Sequence, residues 1–214
     1  MNLLPVGLNV EGRPALVVGG GAVALRKIRM LGRCGAKVLV VSPEVRPEVR
    51  KMAAAGRIVW RRRRFSPATT ARPGGPALVF ACTDDPVINK RIERWAAARG
   101  LWVNRADTPK SALHVPAVAQ LGGGLQVAIF SGGQSPGYVK YLRKRLERAI
   151  GSSVPEELRM LAHLRTLLKK TVDSPARRKR ILTRLIETGA LARLARRSPR
   201  DRKAALKKLA GGQT

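Results

Sequence analysis

The sequence predicts an α/β fold, a parallel sheet with helices on both faces, followed by an all-helical C-terminal region. Three observations predict it. Short apolar runs alternate with helical segments over residues 14–104, the spacing of βαβ units rather than of hairpins. The first run, Leu16-Val17-Val18, is continuous instead of alternating, as in a strand buried on both faces. After Gly151 the strand signals stop, and long stretches carry apolar residues at helical spacing.

Residues 14–19 read as the first strand, and a helix over 22–34 follows, with Val23, Ile28, Met30 and Leu31 among its apolar positions and Gly35 as its stop. Lys37-Val38-Leu39-Val40-Val41-Ser42 is a second buried strand, ended by Pro43. A short helix over 46–55 closes at Gly56, and Ile58-Val59-Trp60 leads a third strand. Residues 66–76, rich in Pro, Thr and Gly, are a loop. Residues 77–82 make a fourth strand. Asp84 or Asp85 caps a helix running to Arg99, with Pro86 in its first turn, and Gly100 ends it before a fifth strand over 101–104. Residues 125–131 are a further strand, leading into Gly132-Gly133-Gln134-Ser135-Pro136 and a helix from Pro136 to Ala149. Beyond Gly151 the helices fall over 155–171, 175–188 and 190–210; the last is rich in Lys and Arg, with Leu191, Leu194, Leu206 and Leu209 as a thin apolar stripe that points to burial against a partner chain.

Between the first strand and the first helix stands Gly19-Gly20-Gly21-Ala22-Val23-Ala24, a G-x-G-x-x-A spacing. Gly19 allows the tight turn, Gly21 lets a pyrophosphate approach backbone N–H groups, and Ala24 lets the helix pack closely on the sheet. The helix N-terminus then offers free donors and a positive dipole end to phosphates. In this context the motif predicts a Rossmann-like domain that binds NAD, against the alternative of a plain βα turn. The place where a carboxylate ordinarily holds the ribose hydroxyls is Ser42, followed by Pro43-Glu44. Glu44 or backbone groups take that task, and Arg46 stands near enough to meet a 2′-phosphate, which leaves NAD against NADP open.

No apolar run reaches the length of a membrane span, and Met1-Asn2-Leu3-Leu4-Pro5 carries no basic segment or apolar core of a secretory signal, so the expected location is the cytoplasm. Cys34 and Cys82 are too few for a disulfide framework and read as buried free thiols. The formal net charge is +30, spread along the chain: residues 151–214 hold 17 Lys and Arg against 5 Asp and Glu. Such a balance predicts nonspecific binding of polyanions; a biased genome or growth at high temperature explains it equally without function. Aromatic residues are only 4% of the chain, and no base-stacking or groove-reading motif accompanies the charge, which argues against dedicated nucleic-acid recognition.

Four segments in this order and spacing carry a resemblance: Gly19 to Lys27; Ala81-Cys82-Thr83-Asp84-Asp85-Pro86-Val87-Ile88-Asn89; Val103-Asn104-Arg105-Ala106-Asp107-Thr108-Pro109 with His114-Val115-Pro116-Ala117; and Ile129-Phe130-Ser131-Gly132-Gly133-Gln134-Ser135-Pro136. Together they resemble the precorrin-2 dehydrogenases, the N-terminal module of siroheme synthases, over residues 1–150. The resemblance implies NAD-dependent oxidation of precorrin-2 to sirohydrochlorin, with iron insertion left open, in an intertwined homodimer. It implies a division into an NAD-binding domain over 1–112, a dimerisation and active-site segment over 113–150, and a basic helical domain over 151–214. By the same resemblance Gly19, Gly21, Ala22, Val23, Pro43, Glu44 and Thr83 contact the dinucleotide, and Asp107 aligns with the family's catalytic aspartate. Ser131, Gly132, Ser135 and His114 fall to substrate binding. Arg105-Ala106 before Asp107 departs from the usual pattern.

The residues themselves agree in outline. Asp107 follows the C-terminal end of the fifth strand, where open α/β sheets bind ligands, and a carboxylate there can take a proton or orient pyrrole N–H groups; alone it also reads as a turn former before Thr108-Pro109. Ser135 and the turn before it can receive a carboxylate or simply cap a helix. His114 is either a structural histidine or a nitrogen ligand, and no His or Cys pair has the spacing of a permanent metal site. A substrate with eight carboxylates gives a basic cleft a purpose, with Arg105, Lys110 and Lys140 as candidates by position. A non-catalytic module that binds NAD to regulate another protein is the alternative; it keeps the glycine turn and has no need of Asp107.

Overall fold

Runs of valine and leucine without polar alternation make strands covered on both faces, and five of them build one sheet. The computed structural model describes residues 3–67, 77–132, 134–150 and 152–210. Strands β1 (Pro14–Val18), β2 (Lys37–Val41), β3 (Val59–Arg61), β4 (Leu78–Ala81) and β5 (Trp102–Arg105) pair in parallel in the order β3-β2-β1-β4-β5. Helices α1 (Ala22–Arg33), α2 (Pro47–Ala54) and α3 (Pro86–Ala97) follow β1, β2 and β4. Most of the loop expected at 66–76 lies outside the described residues.

Alternate residues of β1 serve opposite faces. Ala15 and Val17 pack with Leu25 and Ile28 of α1 and Val49 of α2, while Leu16 and Val18 pack with Ile92 and Trp95 of α3. That is why β1 reads as an unbroken apolar run. In α1 the buried residues Ala24, Leu25, Ile28 and Leu31 recur at helical spacing, so one stripe meets the sheet. Because β1 pairs with both β2 and β4, the order of strands reverses direction beside it, and the crevice outside the C-terminal ends of β1 and β4 is the switch point of the sheet.

The chain through Val115 forms one compact unit and the chain from Pro116 a second, where the sequence reading draws three segments. The second unit opens with an antiparallel hairpin of β6 (Ala117–Gly122) and β7 (Leu125–Ile129), continues through α4 (Pro136–Ala149), and ends in α5 (Val154–Thr171), α6 (Pro175–Glu187), α7 (Ala190–Ala195) and α8 (Pro199–Ala210). Strand β6 is an addition to the sequence reading. Its Ala-Val-Ala-Gln-Leu-Gly has too little bulk to stand out, but Gly122-Gly123-Gly124 between two apolar runs is a hairpin signal.

The helix expected over 190–210 is two helices. Pro199 offers no N–H and its ring opposes a continuing turn, while Ser198 Oγ accepts the Asp201 N–H at 3.2 Å and caps a new start. The apolar stripe is also covered within the chain: Leu191, Leu194 and Leu206 pack with Met160, Leu164, Leu168 and Leu185. It therefore requires no partner chain. Cys34, read as buried, is exposed.

Candidate functional site

The turn from β1 into α1 stands at the switch point. Gly19 has φ +117°, and a Cβ there would lie 2.4 Å from the carbonyl oxygen of Cys82. Its N–H donates to Val41 O at 3.0 Å, so the turn is tied to β2 while it touches the end of β4. Gly20 is tighter still on its other side: a Cβ would overlap the Glu44 carbonyl oxygen and lie 2.7 Å from Val45 Cα. Gly20 O also accepts the Arg46 N–H at 3.0 Å. Gly21 differs from both. A Cβ added there meets no protein atom within 4 Å, and its φ of −78° suits any residue. Nothing in the described protein demands glycine at that position, and the space it leaves open fits the close approach of a pyrophosphate. Ala24, next in the motif, is fully buried against the sheet. Ala22 is exposed and Val23 half-buried at the head of the helix, which has no side-chain cap and no acidic residue in its first turn. Its N–H groups and dipole are thus left to an anion.

Pro43 and Glu44 form the exposed loop after β2. Ser42, buried beneath them, donates its hydroxyl to Glu44 O at 2.5 Å, and Trp60 Nε1 donates to Ser42 O at 3.0 Å. Across the crevice, Thr83 follows β4. The fully buried Asn89 of α3 accepts from Thr83 N–H at 3.2 Å and Thr83 Oγ1 at 2.8 Å, and donates to Thr83 O at 3.1 Å. Of the two candidate caps, Asp85 serves α3, its Oδ1 accepting from Val87 N–H at 2.7 Å and Ile88 N–H at 3.2 Å. Burial pushes the neighbouring Cys82 thiol up to about 11, so it stays protonated and inert near neutral pH. Burial also lowers the Lys27 ammonium, which lies 5.6 Å from the Phe80 ring.

At the end of β5, Arg105 and Asp107 form a two-point ion pair: Nε donates to Oδ1 at 3.2 Å and Nη2 to Oδ2 at 2.7 Å. The third arm, Nη1, donates to Glu93 Oε2 of α3 at 2.8 Å. The Arg105 hydrogen bonds hold the Asp107 carboxyl below the usual carboxylate range. The backbone is pinned on both sides, Ala106 N–H to Ala81 O at 3.0 Å and Arg105 N–H to Ser111 Oγ at 2.9 Å. The sequence reading singled out Arg105 only by its position and did not find Glu93; only the packing of α3 beside β5 brings that carboxylate to Arg105.

His114 is half-buried, between Leu113 and Val115, which pack on the core; its Nε2 is buried with no hydrogen-bond partner. Ser131, Gly132 and Ser135 belong to the second unit. Gly132 has φ +61°, Gln134 N–H donates to Ser131 O at 3.1 Å, and Ser135 Oγ caps α4 by accepting from Tyr138 N–H at 3.2 Å. Gly133 lies outside the described residues. Among the described residues no three His, Cys, Asp or Glu side chains gather closely enough to hold a metal ion, and no helix is long and apolar enough to cross a membrane.

A parallel sheet with a glycine turn at its switch point and an open cradle above one glycine defines a Rossmann-type dinucleotide-binding domain. The profile of the family described as "Putative NAD(P)-binding" matches residues 6–117, just over half of the chain. The chain belongs to that NAD(P)-binding family. Among curated proteins, siroheme synthase 2 of Aeromonas salmonicida is 38% identical over 195 residues, 91% of this chain and 39% of that protein. The siroheme synthase of Methylobacillus flagellatus is 37% identical over 180 residues, 84% of this chain and 38% of that protein. The chain thus spans about two fifths of the length of these relatives. The solved structure of SirC, precorrin-2 dehydrogenase, superposes with a TM-score of 0.78 at 25% identity, covering 97% of this chain and 98% of that one.

Proposed function

We propose that the chain oxidises precorrin-2 to sirohydrochlorin with NAD+, in the cytoplasm and as a homodimer. The observation that carries this reading is the likeness to SirC over nearly the whole of both chains. A match confined to the glycine turn would favour a regulatory module; this one extends through the Asp107 strand end and the helical unit.

In this reading Gly19, Gly21, Ala22 and Val23 receive the pyrophosphate, Pro43 and Glu44 meet the ribose side, and Thr83 borders the dinucleotide from β4. NAD+ bound there supplies the hydride acceptor. Loss of hydride leaves positive charge on the tetrapyrrole. Asp107, held ionised, stabilises that charge and orients pyrrole N–H donors, then receives or relays the proton whose loss completes the oxidation. Ser131, Gly132 and Ser135 receive a substrate carboxylate at the head of α4, and half-buried His114 borders the substrate. The homodimer finds support in the second unit: among the described residues β6 and β7 pair only with each other, and a two-stranded sheet is marginal alone.

The test is an anaerobic assay with precorrin-2 and NAD+, following NADH and the sirohydrochlorin spectrum, beside Asp107→Ala. Turnover in the parent that falls at least a hundredfold in the variant is expected (about 10²–10⁴ for a lost acid–base group). Cofactor binding without turnover, on NAD+ or NADP+, overturns the reading in favour of a sensor module.

A further inference from the structure

We propose that Arg105 is a positioning residue of this reaction: its guanidinium, anchored from α3 by Glu93, fixes both oxygens of Asp107 in one orientation and keeps the carboxylate from turning. The inference rests on the function proposed above for Asp107, and its geometry stands independently.

Three features carry it. The contact is a fork, Nε to Oδ1 and Nη2 to Oδ2, which defines the carboxylate plane as a single contact cannot. The remaining arm is spent on Glu93, so Arg105 is held from a second element and cannot swing with Asp107 as an exposed pair would. The three side chains are only 14% (Arg105), 22% (Asp107) and 28% (Glu93) exposed, which sets them apart from ordinary surface pairs. The chain between Arg105 and Asp107 is fastened to β4 through Ala106, and beyond Arg105 to Ser111, so the backbone cannot open the fork by drifting.

The groups acting on the Asp107 carboxylate include Arg105 from β5, a hydrogen bond from its own backbone, the Asn89 amide and, through Arg105, Glu93 from α3, and the Cys82 thiol after β4, which is neutral. Only Arg105 carries a positive charge among them. The sign follows. An Asp whose carboxyl is depressed stays ionised to lower pH, and removal of the cation moves its protonation upward.

The experiment uses the full chain and two readouts. Carboxyl 13C NMR of protein labelled at its five aspartates, with Asp107 assigned by Asp107→Asn, follows the carboxylate without substrate. The pH profile of kcat/KM with precorrin-2 follows it in action. In Arg105→Leu the Asp107 midpoint is expected to rise by about one pH unit or more, a tenfold change in its proton affinity. The acid limb of kcat/KM should rise by the same interval. Arg105→Lys keeps a charge and loses the fork; it should restore most of the midpoint and leave kcat about tenfold down, with KM little changed. Should Arg105→Leu fail to fold, Glu93→Gln removes the anchor but keeps the cation and takes away a nearby negative charge; the Asp107 midpoint is expected to stay or fall slightly, while kcat drops severalfold with KM little changed. An unchanged Asp107 midpoint and an unchanged acid limb in Arg105→Leu, or an unchanged kcat in Arg105→Lys and Glu93→Gln, overturn the proposal. A parent chain that never oxidises precorrin-2, together with a midpoint that moves in Arg105→Leu, overturns the reaction assigned to the site and leaves the fork in place.

Discussion

The three adjacent glycines of the β1–α1 turn are constrained by different things. Gly20 is closed off by Glu44 and Val45, so Gly20→Ala should lose stability by overpacking, about 1–3 kcal/mol or more, before any ligand is added. Gly21→Ala should melt as the parent does and bind NAD+ about tenfold more weakly, roughly 1.4 kcal/mol. Thermal unfolding and calorimetric titration of the two variants separate these outcomes. The reading of the motif reached Gly19 and Gly21, whose tasks follow from local chain direction. It treated Gly20 as a free position, because the atoms that exclude a side chain there come from a loop some twenty residues further along. The cysteines make a second test. Iodoacetamide at pH 8 should label exposed Cys34 and leave Cys82 unmodified; comparable labelling of both would mean that the end of β4 opens readily.

Among the elements, the helix starts at Asp85 and Ser135 were legible, and strand β6 and the division between α7 and α8 were not. Asp85 stands where sequence rules place a cap, and Asp85→Ala should cost about 1 kcal/mol, measurable as a lowered denaturation midpoint. Ser135 was legible in the same way. Strand β6 was missed because its residues are small and only pairing with β7 makes it a strand. The division between α7 and α8 was written in Ser198-Pro199, but the leucines on either side kept a helical period across it. That continuity has a reason: both helices turn the same kind of face into one shared core around Leu164 and Leu168. Leu164→Ala, at a fully buried position of that core, should cost about 2–5 kcal/mol. A much smaller loss, read by urea unfolding, would mean that the helical core is loosely packed.

For the whole molecule the dominant fact is 43 basic residues against 13 acidic ones. Several of the few carboxylates are held ionised: Glu48 chiefly by its own backbone hydrogen bond, Asp107 by Arg105, and Glu156 by Arg159. Depressed carboxyls contribute stability that is present above their unfolded values and lost as pH falls through the folded ones. The chain should therefore keep its stability down to about pH 4.5 and lose it steeply below, as attraction is removed and net positive charge grows. A pH series of thermal melts reads this; a flat response to pH 3 would show that the ion pairs contribute nothing. The same charge should draw polyanions without selecting among them. Binding to RNA should fall along a straight line of log affinity against log salt, and affinity that outlasts high salt would point to a dedicated site.

Trp60 gives the β2–α2 loop a voice. Its indole N–H donates to the carbonyl of Ser42, the residue just ahead of Pro43 and Glu44, and the guanidinium of Arg50 lies 5.9 Å from its ring. An indole whose polarity is set by that loop changes its emission when the loop is disturbed. The chain thus carries an intrinsic optical probe fastened beneath the ribose side of its proposed cofactor site, and once Trp95 and Trp102 are replaced by phenylalanine the arrival of a dinucleotide can be timed without a label from the colour and brightness of that ring.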